Sequence, residues 1–285
     1  PVTYTVYKLV GRKEDIWVAI IGCIADNYMP DFVEEFAKEY PQIKLVERKT
    51  RAGKADALNL IYRMNKSDFF LTIDADLLFE GKREVEKMIR AMQKNPKITV
   101  VGPRHIPVQA DSLMGKFAYI SYISFEDAFL QLNNGNNFYA MMGVALMKKQ
   151  FAKSMTFPEG IIGDQCYVYA MATRNNRQGF KLVKEARVFF RTVTTFKDWR
   201  ILGVRSVIGD KESMIGLFGK EILKEFSMPI DLYTRSLMKW FFKNPFWTLG
   251  SILMNMYIRT FPYKKVMPKN GMWELTVSSK EAIII

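Results

Sequence analysis

Residues 69–76 read FFLTIDAD, an apolar run of strand length that ends in two aspartates two positions apart. The run predicts a buried strand, so that Asp74 and Asp76 stand where the strand opens into a loop. Open α/β sheets bind their ligands at the carboxyl ends of their strands. Two carboxylates at such an end can hold one hard cation that bridges a diphosphate. Two acids in an ordinary solvated loop would look the same, so the surrounding sequence has to decide.

Strand and helix patterns alternate on both sides of this stretch. Apolar runs of strand length occur at residues 16–22, 43–47 and 98–102. Between them, apolar residues recur at helical spacing: Ala57, Leu58, Ile61 and Tyr62, and then Val85, Met88, Ile89 and Met92. This alternation predicts an α/β fold with an open, mostly parallel sheet and helices on both faces over about residues 1–105.

The pattern changes after residue 105. We predict a helix near residues 112–131, a loop at 133–137, a strand at 139–147 and a helix that starts near Asp164. From about residue 196 to residue 260 the pattern is helical, and the tail beyond it is extended. We therefore expect an α/β domain over residues 1–210 and a C-terminal helical appendage over residues 211–285.

The loop upstream of the two aspartates is basic. Residues 51–59 read RAGKADALN, with Arg51, Gly53 and Lys54 ahead of a predicted helix. Amide donors at a helix N-terminus and a lysine both favour a phosphorylated ligand. An ordinary basic loop before a helix is the alternative, and this segment by itself does not exclude it.

A third acidic position begins the helix predicted downstream. Residues 161–165 read IIGDQ, which puts Asp164 at the helix start. Aspartate is a preferred N-cap residue, and an aspartate at a helix start in a cleft can also act as a general base. The two roles are compatible, and both stay open.

In this order and spacing, these residues resemble the GT-A glycosyltransferases of family 2, which are inverting and use nucleotide sugars. Members of that family carry a GKaxALN segment, a strand ending in DxD, a strand rich in small residues and an acidic ED-type motif. The corresponding segments here are residues 53–59, 74–76, 142–145 and 163–165. The resemblance covers about residues 16–210.

The resemblance implies a role for each of these positions. Asp76, with Asp74 nearby, would hold Mg²⁺ or Mn²⁺ against the diphosphate of a UDP- or GDP-sugar donor. Asp164 would take the proton of an acceptor hydroxyl, and Arg51, Gly53 and Lys54 would lie near the donor. The acceptor would be a glycan or a lipid-linked group, and the transfer would be of the hexosyltransferase type.

The chain also departs from the family pattern. Residues 1–15 leave no room for the first helix that the family normally carries. The nucleoside loop is reduced to residues 22–26, whose one acid, Asp26, is our candidate nucleoside contact. A segment at 198–209 resembles the QxxRW-type motif in position but lacks its Gln and has Ser206 in place of the Trp. Arg205 is retained as a candidate donor contact, whereas repeated polymerisation is not supported.

Charge and cysteine content restrict the class of protein. Lys and Arg outnumber Asp and Glu by 42 to 29, giving a net charge of +13 that attracts phosphates, anionic lipid or nucleic acid. Cys23 and Cys166 are far apart and form no CxxC motif, which argues against a disulfide scaffold or a zinc site and favours a reducing cytoplasm. The single histidine, His105, is expected in a loop after a strand, and we give it no catalytic role.

Aromatic and basic residues are interleaved at residues 229–265. Their longest uncharged stretch, residues 244–258, has 15 residues and is too short for a membrane span. The mixture is typical of helices that lie in a membrane interface, and it also fits helices that simply pack on the α/β domain. We expect a protein that is peripheral on the cytoplasmic face of a membrane and is attracted by anionic lipid.

Two other classes of function remain open. A sugar-phosphate nucleotidylyltransferase also uses an α/β nucleotide fold, although residues 1–30 lack the Gly-rich basic loop that such enzymes carry after their first strand. A non-catalytic protein that binds membrane or nucleic acid would fit the net charge. Nucleic acid is the less favoured partner, because acidic residues at a sheet edge would oppose a phosphate backbone.

Overall fold

The computed structural model describes residues 18–23, 35, 38, 43–48, 53–64, 67–74, 76–161, 163–206, 210–260, 276–279 and 283. The strands are β1 Val18–Cys23, β2 Ile43–Arg48, β3 Phe69–Ile73, β4 Leu77–Phe79, β5 Val100–Val108, β6 Val144–Lys148 and β7 Phe180–Arg191. The α-helices are α1 Gly53–Met64, α2 Glu84–Gln93, α3 Leu113–Phe129, α4 Lys149–Ser154, α5 Asp164–Thr173, α6 Phe196–Val204, α7 Asp210–Phe218, α8 Ile230–Lys243 and α9 Pro245–Thr260. Short 3₁₀ helices occur at Leu132–Gly135, Phe138–Ala140, Lys220–Phe226 and Val277–Ser279.

The α/β fold is confirmed, and its strand pairing is more mixed than the sequence predicts. Strands β1 and β2 pair in parallel, and the other five form a sheet in the order β3-β6-β5-β7-β4. Within that sheet β5 and β7 are parallel, whereas the β3–β6, β5–β6 and β4–β7 pairs are antiparallel. The reason is that β6 lies between β3 and β5 and runs against both, and β4 follows β3 after three residues and joins the opposite edge of the sheet.

Helices cover both faces of this sheet, as expected. Alternate residues of β6 face opposite sides: Ala145 and Met147 belong to one buried cluster, and Val144 and Leu146 belong to another. The first cluster includes side chains of α1, α5 and α7, and the second includes Met88 and Met92 of α2. The two-residue alternation of a strand thus builds two separate cores.

Strand β5 corrects our expectation for His105. The strand continues to Val108 instead of ending near residue 102, because it pairs with β7, for which the sequence pattern predicts no element. A register shift between Pro103 and Arg104 accommodates the prolines. His105 is therefore a buried strand residue, 3% exposed, whose Nδ1 lies 3.1 Å from the Pro103 carbonyl oxygen. Burial lowers the pKa of His105 to about 4, so the ring is neutral at neutral pH.

The structure also differs from the loop and strand predicted at residues 133–147. Asn133 and Asn134 have φ values of 50° and 56°, which asparagine tolerates better than most residues. The following residues form the 3₁₀ helix Phe138–Ala140, and only then does β6 begin, at Val144. Asn137 ties this turn to α3, because its Nδ2 donates to the Phe129 carbonyl oxygen at 2.7 Å. The apolar run at residues 139–147 therefore contains a turn as well as a strand.

The C-terminal helices pack on the α/β layers mainly through α3. Ser236 Oγ of α8 donates to the Ser124 carbonyl oxygen at 2.5 Å, and Asn255 Nδ2 of α9 donates to Ser121 Oγ at 2.8 Å. In the part of the chain that the structure describes, no helix is long and apolar enough to span a membrane. Residues 277–279 form a 3₁₀ turn instead of the expected extended tail. The division of the chain at residue 210 stays a prediction.

Candidate active site

Asp74 lies at the end of β3, as the sequence predicts. Its backbone N–H donates to the Gly143 carbonyl oxygen at 2.8 Å, directly after the β3–β6 ladder. Asp76 follows within two residues, immediately before β4 begins at Leu77. Both aspartates are partly exposed, so their carboxylates stand at the carboxyl edge of the sheet where a ligand can reach them.

Gly143 lies against the Asp74 carboxylate. A Cβ on Gly143 would lie 2.6 Å from Leu77 Cδ1 and 3.1 Å from Asp74 Oδ2. Leu77 is buried and cannot move aside freely. The small residue is therefore needed because strand β6 approaches both the end of β3 and the start of β4.

We expect Gly143→Ala to lower the free energy of unfolding by about 1–3 kcal/mol, since the added methyl group overpacks a tight contact. Gly216→Ala in α7 is the matched control, because a Cβ there meets no atom within 4 Å. That substitution should raise the free energy of unfolding by about 0.4–1 kcal/mol. Urea unfolding curves measure both effects. If Gly143→Ala were as stable as the parent protein, β6 would not approach Leu77 this closely.

The start of α5 approaches the same edge. Gln165 Nε2 donates to Asp74 Oδ2 at 3.4 Å, and Asp164 is the first residue of the helix. The N-cap residue is Gly163, and no side chain caps this helix, so Asp164 does not serve as the N-cap. Asp164 and Asp74 are 90 residues apart along the chain. The structure brings the segments that contain them together at one edge of the sheet.

Asn59 holds the segment that leads to α5. Its Nδ2 donates to the Phe157 carbonyl oxygen at 2.9 Å, and its Oδ1 accepts from the Phe157 backbone N–H at 2.8 Å. Tyr167 Oη donates to the Thr156 carbonyl oxygen at 3.0 Å from the other side. The Asn of the ALN segment therefore joins α1 to the chain that positions Asp164.

Tyr62 is a buried core residue that lies close enough to Asp164 to feel its charge. Its ring is buried between Phe70 and Phe157, and its hydroxyl donates to Met147 Sδ at 3.4 Å. Burial raises the pKa of Tyr62, and the negative charge of Asp164 raises it further. The Tyr62 hydroxyl therefore stays protonated and neutral near the candidate base, Asp164.

Asp210 lies beside the start of α5, and the sequence did not single it out. It begins α7, and its side chain accepts a hydrogen bond from the Cys166 thiol. A Cβ on Gly163 would lie 3.2 Å from Asp210 Oδ1, so α7 and α5 meet at their first residues. Burial raises the pKa of Asp210 to about 7; the Asp164 charge also raises it, whereas Arg205 and the Cys166 hydrogen bond lower it. In the sequence, Asp210 is one acid within a long helical pattern, which gives it no distinguishing signal.

We expect Asp210 to make stability depend on pH. The unfolded chain has an aspartate pKa of about 3.9, so between about pH 4 and pH 7 the folded protein holds the extra proton and the free energy of unfolding falls as pH rises. The full effect is at most about 4 kcal/mol. Asp210→Asn should flatten this slope, measured by urea unfolding at pH 5 and pH 8, whereas the exposed control Asp111→Asn should not. An unchanged slope in Asp210→Asn would show that the residue titrates normally.

The remaining predicted site residues are described only in part by the structure. Asp26 and Arg51 lie outside the described residues. Gly53 and Lys54 form the first turn of α1, but the side chain of Lys54 is outside the described part. Arg205 is exposed at the end of α6, and its charge acts on Asp210. Among the described residues no group of three or more His, Cys, Asp or Glu side chains could hold a metal ion, so the aspartates at 74 and 76 offer at most two protein ligands.

Solved structures with a similar fold are known. The mannosyltransferase PcManGT from Pyrobaculum calidifontis, solved with GDP-Man and Mn²⁺, matches with a TM-score of 0.50 over 88% of this chain and 73% of its own, at 15% identity. TarS from S. aureus, residues 1–349 with UDP, matches with a TM-score of 0.47 over 76% of this chain and 64% of its own, at 12% identity. The first match supports a shared GT-A-type fold, and the second is too distant to support more. No curated protein sequence matches the chain.

A family model also matches the sequence of this region. Residues 21–156 match the sequence model described as glycosyl transferase family 2. The match covers a little under half of the chain, and over that region it confirms the resemblance to the family 2 glycosyltransferases. The matched residues include the DxD segment and Gly143, whereas Asp164 and Asp210 lie beyond them.

Proposed function

We propose that this protein is an inverting glycosyltransferase that transfers a hexose from a nucleotide sugar, with metal at Asp74 and Asp76 and with Asp164 as the base. The hydrogen bond from Gln165 to Asp74 is the observation that carries the proposal. It joins the start of α5 to the end of β3, so that the candidate base and a candidate metal ligand share one edge of the sheet.

Asp74 and Asp76 fit a site for Mg²⁺ or Mn²⁺. Carboxylate oxygens suit such hard cations, and Mg²⁺ commonly binds one or two protein carboxylates together with substrate phosphates and water. Two protein ligands at an accessible sheet edge agree with that pattern. When bound, the cation would offset the negative charge of the departing nucleotide diphosphate.

Asp164 supports the reaction as a proton acceptor. Its carboxylate takes the proton of the acceptor hydroxyl while that oxygen forms a bond to the anomeric carbon. The bond between the anomeric carbon and the diphosphate oxygen breaks on the opposite face, and its electron pair leaves with the nucleotide diphosphate. A single displacement of this kind inverts the anomeric configuration. A lipid phosphate acceptor would attack already ionised and would not need the base.

The remaining candidate residues are assigned to the donor. Arg205 lies at the end of α6, where its charge already acts on Asp210. We assign Arg51, Gly53 and Lys54 to the donor phosphates and Asp26 to the nucleoside, following the family pattern. Either a UDP- or a GDP-sugar fits this set, because one aspartate at the nucleoside does not distinguish the two bases.

The acceptor is proposed to be a glycan or a lipid-linked group. Large apolar side chains are exposed along α8 and α9, which favours work at the cytoplasmic surface of a membrane. A peripheral position of this kind would bring lipid-linked acceptors to the sheet edge. An anionic surface suits the net charge of +13.

Turnover of nucleotide sugars tests the proposal. Full-length protein would be supplied with Mn²⁺ or Mg²⁺ and with UDP-, GDP- and dTDP-sugars, and the release of nucleotide diphosphate would be measured with soluble and lipid-linked acceptors. We expect metal-dependent release from one donor and an inverted linkage in the product. Pyrophosphate release from a nucleoside triphosphate and a sugar phosphate would instead indicate a nucleotidylyltransferase. Salt-sensitive binding to nucleic acid without turnover would indicate a non-catalytic protein.

A further inference from the structure

Helices α8 and α9 form a hairpin that exposes large apolar side chains beside its charged residues. Four exposed residues of α9 share one face at helical spacing: Phe246, Leu249, Leu253 and Met256. Phe246 is 63% exposed and Leu253 is 58% exposed. On α8 the exposed apolar residues are Ile230, Met238, Phe241 and Phe242, of which Phe242 is 77% exposed. Contiguous exposed apolar surface of this kind marks an interaction site.

The inner face of the same hairpin buries several polar or small residues beside the apolar Ile258. Thr248 and Ser251 of α9 and Ser236 of α8 are at most 2% exposed. Gly250 packs against Phe117 of α3 so closely that a Cβ would lie 2.1 Å from Phe117 Cε1. A surface helix in water buries its apolar stripe and exposes its polar one. This hairpin instead buries Thr248, Ser251 and Ser236 while large apolar side chains stay exposed, so part of its outer face suits an apolar environment.

The charges on the hairpin favour an anionic environment. Residues 230–260 contain four cations, Arg235, Lys239, Lys243 and Arg259, and a single acid, Asp231. Lys243 Nζ lies 5.1 Å from the centroid of the Trp240 ring, so cation and indole are presented together. Tryptophan and lysine side by side are typical of the boundary between lipid headgroups and acyl chains.

A cavity opens at the corner of the hairpin. Its volume is about 250 Å³, and its lining includes Gln109, Lys116, Tyr119, Trp240, Asn244 and Trp247. Lys116 Nζ lies 5.2 Å from the centroid of the Trp247 ring, and Lys116 has no acidic partner among the described residues. A space of this size that is open to solvent can admit a small phosphorylated headgroup. The lining provides one cation and several neutral donors for such a group.

We propose that the α8–α9 hairpin lies on an anionic bilayer and that this cavity receives the phosphate of one lipid headgroup, with Lys116 as its charged contact. A bilayer supplies both partners that the surface requires: acyl chains for the outer apolar face and phosphates for the cations. A second copy of this chain would bring two basic surfaces together, which repel each other. The binding does not depend on glycosyl transfer.

Vesicle co-sedimentation of the full chain tests this assignment. The vesicles are phosphatidylcholine alone and phosphatidylcholine mixed with phosphatidylserine. We expect the protein to bind the mixed vesicles and to be released by added salt. Leu253→Ser should weaken binding at least about tenfold, because an exposed leucine no longer enters the apolar layer. Lys116→Gln should weaken binding to the mixed vesicles about fivefold.

Lys94→Gln is the matched control for Lys116→Gln. Lys94 is an exposed lysine at the end of α2, which packs on the other core cluster, so its loss should leave vesicle binding unchanged.

Met256→Ser serves as a second variant of the apolar face, and circular dichroism confirms that each variant is folded. Equal binding to both vesicle types, no binding at all, or equal effects of Lys116→Gln and Lys94→Gln would each overturn the proposal. A dimer in solution that Leu253→Ser dissociates would assign the face to a second copy. Nucleotide-sugar turnover is measured separately, so an inactive enzyme that binds vesicles would leave this inference intact.

Discussion

Asp164→Asn is expected to lower kcat by about 10²–10⁴-fold, which is the usual loss when a positioned general base is removed. Asparagine keeps the size of the side chain but cannot accept the proton of the acceptor hydroxyl. Because the change affects a step after binding, the KM for the nucleotide sugar should change little. The measurement is the initial rate of nucleotide diphosphate release at saturating donor and acceptor.

Asp231→Asn is the matched control for this substitution. Asp231 also stands in the first turn of a helix, α8, but it lies on the surface and pairs with Arg235. Any effect of losing a negative charge at a helix start is therefore shared by the two variants, and only Asp164→Asn should lose activity. Retention of full kcat by Asp164→Asn would move the role of base to Asp210, the other carboxylate at this junction.

The acidic residues of the candidate site differ in how far the sequence could reveal them. Asp74 was predictable because β3 is a short apolar run, confirmed at residues 69–73, and the carboxyl end of such a strand is a ligand position. Asp164 was predictable as a helix start from the pattern of residues 161–174. Asp210 was not, because its significance comes from the contact of α7 with α5 and from burial, neither of which leaves a local sequence pattern.

Strand β7 shows a second limit of sequence patterns. It runs for 12 residues and pairs with both β5 and β4, yet Lys181, Lys184 and Arg187 interrupt its apolar residues. The buried positions lie on two faces with a break near Glu185, so neither strict alternation nor a continuous apolar run is present. The same pairing explains His105, since a strand with two prolines reads as a loop until its partner is known.

Asp76→Asn is expected to lower turnover by about 10²–10³-fold, similar to the loss of one preorganised electrostatic contact to the transition state. The amide keeps one oxygen but loses the charge that attracts a divalent cation to the donor diphosphate. The concentration of Mn²⁺ needed for half-maximal rate should rise, and chelation of the metal should abolish turnover of the parent protein until Mn²⁺ is restored. Asp74→Asn should act in the same direction and should also lose the hydrogen bond from Gln165 in its present form.

Asp68→Asn separates a metal role from a general loss of negative charge. Asp68 immediately precedes the same strand, β3, and its carboxylate is exposed and 3.5 Å from Lys149 Nζ. The two substitutions thus remove the same charge from opposite ends of one element, and only the carboxyl end carries the proposed site. Calorimetry of Mn²⁺ binding in the presence of nucleotide diphosphate gives a readout that does not require turnover. Equal Mn²⁺ affinity in Asp76→Asn and Asp68→Asn would place the metal away from this edge, because a carboxylate that binds a cation directly cannot be neutralised without weakening that binding.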